Sequence, residues 1–148
     1  MEEITQLLSL VCGLILLLMA IEASIVYAEK SSAVPVFEVD IVDEIYHSND
    51  SWTQGFAIYN GFLFESTGNY GNSSLKELDM ETGEELRKLT LNSSYFAEGI
   101  AIVDDKLILL TWRENIAFVV DLDTFEIISN YSYQGEGWGI CYDGTHLV

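Results

Sequence analysis

An all-β chain of repeated four-stranded units, a β-propeller, is the fold this sequence predicts. Three observations carry that prediction. From residue 34 onward, short apolar runs of period two alternate with Gly, Asn and Asp turns, and no helical period appears there. QGFAIYNGFLF at 54–64 comes back as EGIAIVDDKLIL at 98–109 and again as WGICYDGTHLV at 138–148. Gly99 stands 44 positions after Gly55, and Gly139 stands 40 after Gly99. A four-stranded unit recurring about every 40 to 50 residues marks a propeller blade. About two blades and the start of a third are expected.

The amino end comes first. Residues 7–21 read LLSLVCGLILLLMAI, fifteen positions without a charge. That is short for a membrane span and right for a signal-peptide core. Cleavage after Ala28 fits the VYA at 26–28. Glu2, Glu3 and Glu22 are unusual flanks for a signal peptide, so a membrane anchor at 1–28 is the alternative. Either reading puts the remainder outside the cytoplasm, secreted or anchored, with the leader in contact with the membrane. A buried core helix is disfavoured, because no face of the run is polar. Asn-x-Ser triplets at Asn49, Asn72, Asn92 and Asn130 agree with export and glycosylation.

Residues 29–50 read as a linker and a first strand, PVFEVDIVDEIY. Residues 51–148 hold the blades. FAIYNGFLFEST is a hairpin with Asn60-Gly61 at its tip, the strongest short hairpin signal. LKELDMETGEELRKLTL is a second hairpin around Glu81-Thr82-Gly83. Asp79-x-x-Thr82 in the first unit answers Asp121-x-x-Thr124 in the second.

Each repeat carries a distinctive side chain just before its glycine: Gln54, Glu98, Trp138. In a propeller, equivalent positions stand around the central axis, so these three are expected to converge. The glycine that follows lets backbones crowd there or lets the strand open with a bulge; ordinary strand-start packing is the alternative. Glu98 carries the functional reading, since a carboxylate near the axis is costly unless paired.

Composition excludes several classes. The 148 residues carry 24 acids against 6 bases, a net charge of −18. That field disfavours nucleic acid and anionic membrane surfaces. The cysteines are Cys12, inside the apolar run, and Cys141, so no internal disulfide is expected in the mature chain. Two histidines and one usable cysteine make a poor metal set, and no spacing resembles a zinc site. The glycine-rich TGNYG lacks the strand-to-helix setting of a phosphate loop.

At these residues the sequence resembles the glutaminyl-peptide cyclotransferases of the plant and bacterial type. The matching stretches are WTQGF (52–56), ESTGNYGNSSL (65–75), YFAEGI (95–100), LTW (110–112) and GEGWGI (135–140). The resemblance implies a five-bladed propeller, no metal and no cofactor. It implies that an N-terminal glutamine attacks its own carboxamide with its α-amine, releasing ammonia and leaving pyroglutamate. The implied partners are peptides with N-terminal glutamine. By the same resemblance, Glu98 binds the α-amine and shuttles its proton, and Gln54 hydrogen-bonds in the substrate site. Phe96, Trp112 and Trp138 are pocket walls, and Trp52, also placed in the substrate site, replaces the phenylalanine usual in that motif. Ala97 stands where a glycine is usual. Glu65 lies in the most specific stretch, yet is expected to serve structural hydrogen bonding.

In the resembled family the segment after DG-x-x-L continues into further blades with further site residues; here the sequence stops at Val148. Further blades or a second chain are expected to close the ring. An inactive relic or an interaction module that needs a partner is the alternative to a cyclase. A binding protein sharing only the scaffold is a third reading, and the site motifs argue against it.

Overall fold

The computed structural model describes residues 36–148. The chain divides into two units, Met1–Ile41 and Val42–Val148. The expected leader at 1–28 lies outside the described residues. Of the first unit, residues 36–41 are described and carry no regular secondary structure.

The second unit holds two four-stranded antiparallel sheets. The first runs β1 (Thr53–Tyr59), β2 (Phe62–Thr67), β3 (Ser74–Asp79) and β4 (Glu85–Thr90), in that spatial order. The second runs β5 (Ala97–Val103), β6 (Lys106–Thr111), β7 (Ile116–Asp121) and β8 (Glu126–Ser132). Two consecutive four-stranded meanders, with β5 packed against β1 and β2, are two propeller blades.

Local chemistry explains the turns. Between β1 and β2, Asn60 and Gly61 both take positive φ, 50° and 83°, the backbone of a type I′ hairpin turn. Between β3 and β4, Asp79 Oδ1 accepts from the backbone N–H groups of Glu81 and Thr82 and from the Thr82 hydroxyl. Asp121 Oδ1 does the same for Asp123 and Thr124 between β7 and β8. The repeated Asp-x-x-Thr is therefore one turn built twice. At the next position the first turn has Gly83 (φ 73°) and the second has Phe125 (φ 59°). A bulky residue in that region is strained. Phe125 is held there by its surroundings, packing against Phe64 and lying 4.6 Å beneath the Arg87 guanidinium. Arg87, on β4 of the first blade, also donates to the carbonyls of Leu122 and Asp123 in the second.

The core lies between the blades. Phe64 and Leu75 from the first blade meet Ala97, Ile100, Leu107, Leu109, Phe118 and Val120 from the second. Ile108, Ala117 and Val119 point to the opposite face of the second blade, where Leu110, Tyr133 and Ile140 pack on them. Strand β6 is apolar on both faces for this reason, and LILL needs no alternation.

The far face of the first blade mixes both kinds of side chain: Phe56, Ile58, Leu63 and Leu78 share it with Glu65 and Lys76. There Glu65 is 1% exposed. Its carboxylate accepts from Thr53 Oγ1 (2.5 Å), His47 Nε2 (2.8 Å) and Ser51 Oγ (3.1 Å), and Lys76 Nζ lies 4.0 Å away. Saturated in this way, Glu65 pins residues 47–53 to the sheet, which is the structural role expected of it.

Residues 36–48 carry no strand, although PVFEVDIVDEIY has the period of one. A strand is stable only when its N–H and C=O groups find a sheet edge, and no described strand pairs with this segment. The third repeat holds no full strand among the described residues. Residues 133–148 form a single antiparallel bridge, Tyr142 to Leu147, closed by two 2.9 Å hydrogen bonds between Cys141 and Val148.

The repeat glycines bring the blades together. A Cβ on Gly55 would lie 2.9 Å from Ile100 N, 3.0 Å from Ser66 Oγ and 3.2 Å from Gly99 Cα. A Cβ on Gly99 would lie 2.5 Å from the Trp138 carbonyl oxygen and 2.9 Å from Gly139 Cα. The three glycines thus step from unit to unit. Gly55→Ala is expected to force the blades apart at a cost of about 1–3 kcal/mol, as overpacking does. Leu107→Ala, a cavity at a fully buried site, is expected to cost about 2–5 kcal/mol. Denaturant midpoints of the two variants against the parent check both values.

Candidate active site

The first strand of each blade opens with the same irregularity. Register shifts between Thr53 and Gly55 in β1 and between Ala97 and Ile100 in β5. A bulge re-aims the side chains at its position. Those side chains are Gln54 and Glu98. The flanking backbone repeats as well: the Trp52 carbonyl accepts from Gly68 N, and the Phe96 carbonyl accepts from Trp112 N, both at 2.9 Å. In the third unit, Gly99 N donates to the Trp138 carbonyl at 2.7 Å.

Glu98 is 4% exposed. No Lys, Arg or His pairs with it among the described residues. Its side-chain partner is Gln54. In the carboxamide orientation that satisfies both neighbours, Gln54 Nε2 donates to Glu98 Oε2 (3.1 Å) and Gln54 Oε1 accepts from Trp52 Nε1 (3.0 Å). Burial disfavours the charged carboxylate and pushes the Glu98 pKa up to about 7. A carboxyl poised there can both take and return a proton at neutral pH.

A second row of side chains runs alongside. Tyr70, Phe96, Trp112 and Trp138 meet in successive edge-to-face contacts, with ring centroids 5.4, 5.6 and 6.1 Å apart. Such geometry suits aromatic quadrupoles. The Arg113 guanidinium lies 3.7 Å over the Trp112 ring and pairs with Glu136. Trp112 Nε1 is buried with no acceptor among the described residues; an incoming carbonyl would satisfy it. Gly68 joins the two rows. A Cβ there would collide with Phe96 Cε1 and sit 2.8 Å from Gln54 Cγ. Beside it, Trp52, Gly68, Asn69 and Phe96 line a cavity of about 290 Å³.

All six residues singled out from the sequence fall in these two rows. Gln54, Glu98 and Trp52 form the hydrogen-bonded row, and Phe96, Trp112 and Trp138 form the aromatic one. Trp52 and Trp138 are 68% and 58% exposed. Of the two glycines that flank Trp138, Gly137 is required, because a Cβ there would run into the Thr111 carbonyl and the Tyr133 hydroxyl, whereas a Cβ on Gly139 would meet nothing within 4 Å. Sequence reasoning did not single out Tyr70 and Glu114. Tyr70 OH donates to Glu114 Oε1 (2.9 Å), and Glu114 Oε2 accepts from Phe96 N (3.3 Å). Tyr70 stands in the specific ESTGNYG stretch, which was the available signal; nothing local marks Glu114. No group of three or more His, Cys, Asp or Glu side chains converges as a metal site among the described residues.

A sequence model of the glutamine cyclotransferases matches residues 14–148. The chain belongs to the glutamine cyclotransferase family. A glutaminyl-peptide cyclotransferase of Arabidopsis thaliana is 34% identical over 112 residues, 74% of this chain and 35% of the plant protein. The crystal structure of Myxococcus xanthus glutaminyl cyclase superposes with a TM-score of 0.66 at 32% identity, covering 73% of this chain and 45% of that one. Citrobacter koseri AztD, at 19% identity and a TM-score of 0.51 over 62% of this chain, shares the fold alone. The chain thus spans well under two thirds of the length of either cyclase relative.

The raised Glu98 pKa has a consequence for stability. In the unfolded chain Glu98 titrates in the ordinary range near 4.5; in the folded chain it titrates near 7. The folded state therefore holds its proton more tightly, and Glu98's contribution to stability falls as pH rises from about 4.5 to 7. Glu98→Gln is expected to gain thermal stability relative to the parent across that window. Melting temperatures of both proteins from pH 4 to 8.5 check the sign.

Proposed function

We propose that the protein carrying this chain is a glutaminyl-peptide cyclotransferase, converting an N-terminal glutamine to pyroglutamate with release of ammonia. The observation that carries the reading is a buried carboxyl, Glu98, with no cationic partner among the described residues, beside an ordered row of aromatic rings. A free α-ammonium is the charge such a carboxylate lacks. The aromatic row suits the aliphatic stem of a glutamine side chain and keeps water off the reacting atoms.

An α-ammonium ordinarily titrates near 8, so it can pass a proton to a Glu98 carboxylate titrating near 7. The neutral amine attacks the γ-carbonyl carbon of its own side chain, and a five-membered ring closes. Protonated Glu98 then gives its proton to the carboxamide nitrogen, and the carboxylate it becomes takes the surplus proton from the ring nitrogen. The C–N bond breaks and ammonia leaves. Holding the side chain curled back on the amine supplies much of the acceleration, and Trp112 Nε1 is the donor assigned to the developing oxyanion.

The location of the protein belongs to the same reading. The apolar run at 7–21 and the four Asn-x-Ser triplets support an extracytoplasmic glycoprotein, secreted or held by its leader. Further blades, in the same or a second polypeptide, would cover the apolar face of Ile108, Ala117 and Val119 and close the ring.

Ammonia release from glutaminyl peptides, measured on the protein expressed from its own reading frame, tests the proposal. Turnover is expected with a free N-terminal glutamine and not with an N-acetylated one. Glu98→Gln is expected to lower kcat/KM by about 10² to 10⁴-fold, the usual contribution of a general acid–base group. Equal turnover by the variant would refute the role of Glu98.

A further inference from the structure

The Gln54 carboxamide has two ends of opposite character, and its neighbours demand opposite things. Glu98 Oε2, 3.1 Å away, accepts; Trp52 Nε1–H, 3.0 Å away, donates. One orientation of the amide satisfies both. The other sets the amide oxygen against the carboxylate and the NH₂ group against the indole N–H. The stem is fixed too, because Gly68 leaves only enough room for Gln54 Cγ. Trp52 is mostly exposed, so its indole is not held there by burial. Its backbone is placed by the hydrogen bond from Gly68 N.

We infer that Trp52 is a positioning residue for Glu98, acting through Gln54: the indole N–H holds the carboxamide with its NH₂ group toward the Glu98 carboxylate. The consequence is electrostatic. An N–H donor stabilises the ionised carboxylate and opposes the effect of burial. Without the indole N–H the amide can turn its oxygen toward Glu98, where it accepts from the protonated acid and stabilises that form instead. Trp52 thereby sets the fraction of Glu98 able to receive a proton at neutral pH.

Few other groups compete for this control. On the segment after β8, Tyr133 has its pKa raised chiefly by burial, with the Glu98 charge a lesser cause in the same direction. Glu114, beyond β6, is engaged with Tyr70 and Phe96 N. On β2, Glu65 is bonded to His47, Ser51 and Thr53. The kinetic consequence rests on the cyclase reading; the electrostatic one does not.

The test is a carboxyl ¹³C NMR titration of Glu98 in the substrate-free protein, its signal assigned by loss in Glu98→Gln. Trp52→Phe keeps the ring and removes the donor. It is expected to move the Glu98 midpoint up by about one pH unit, the size of one hydrogen bond to a charged group. Gln54→Ala is expected to move it in the same direction, and Trp52→Phe added to Gln54→Ala should move it no further. The acid limb of kcat/KM in Trp52→Phe should shift by the same amount. An unmoved midpoint in Trp52→Phe, or a Trp52→Phe effect that persists without Gln54, would overturn the inference. Coupled titrations in a protein that releases no ammonia would uphold the relay and remove the cyclase reading.

Discussion

The close approach of β1 and β5 is the constraint on which this structure depends. Two four-stranded sheets can pack through their faces at ordinary spacing. Bringing their first strands within reach of a side-chain hydrogen bond requires backbone without a Cβ atom, and Gly55 supplies it, while Gly99 makes the same room for the segment 138–140. The bulges at Gln54 and Glu98 then turn those residues toward each other. The large inter-blade core of Phe64, Leu75, Leu107, Leu109 and Val120 holds that geometry rigid. Fold and site are thus the same feature: the interface that buries the apolar side chains also buries the carboxyl.

Two glutamates show how environment divides one residue type into two roles. Glu65 and Glu98 are buried to nearly the same degree. Glu65 is surrounded by hydroxyls, an imidazole and a lysine, so its charge is satisfied and it serves as a fastening. Glu98 has one amide, and burial leaves its proton in contention near neutral pH. Groups kept in that state cost stability, and proteins concentrate them where chemistry is done.

Much of the fold could be read from the sequence because it is written in local signals. Asn60-Gly61 forces a hairpin turn, Asp-x-x-Thr closes the outer turns, and the Gln54, Glu98, Trp138 spacing places three equivalent residues in successive units. The approach of the glycines confirms that alignment. What could not be read depends on partners distant in sequence. Alternation in 35–46 gives a residue pattern for a strand but no edge to bind. The Arg87 staple to Leu122 and Asp123, the tie of Glu114 to Tyr70, and the relay from Trp52 to Glu98 are side-chain contacts across strands or blades. Their existence follows from packing, which no local pattern encodes.

The central claim is that Glu98 receives a free α-amine while the aromatic row holds the adjoining side chain. A crystal structure with a peptide whose first residue is norvaline tests it most directly. Norvaline keeps the amine and the two-methylene stem of glutamine and has a methyl group where glutamine has its carboxamide. The account predicts the amine about 3 Å from a Glu98 carboxylate oxygen, with the stem against Phe96, Trp112 and Trp138. A peptide bound elsewhere, or one whose amine faces solvent while Glu98 stays bonded to Gln54 alone, would contradict it.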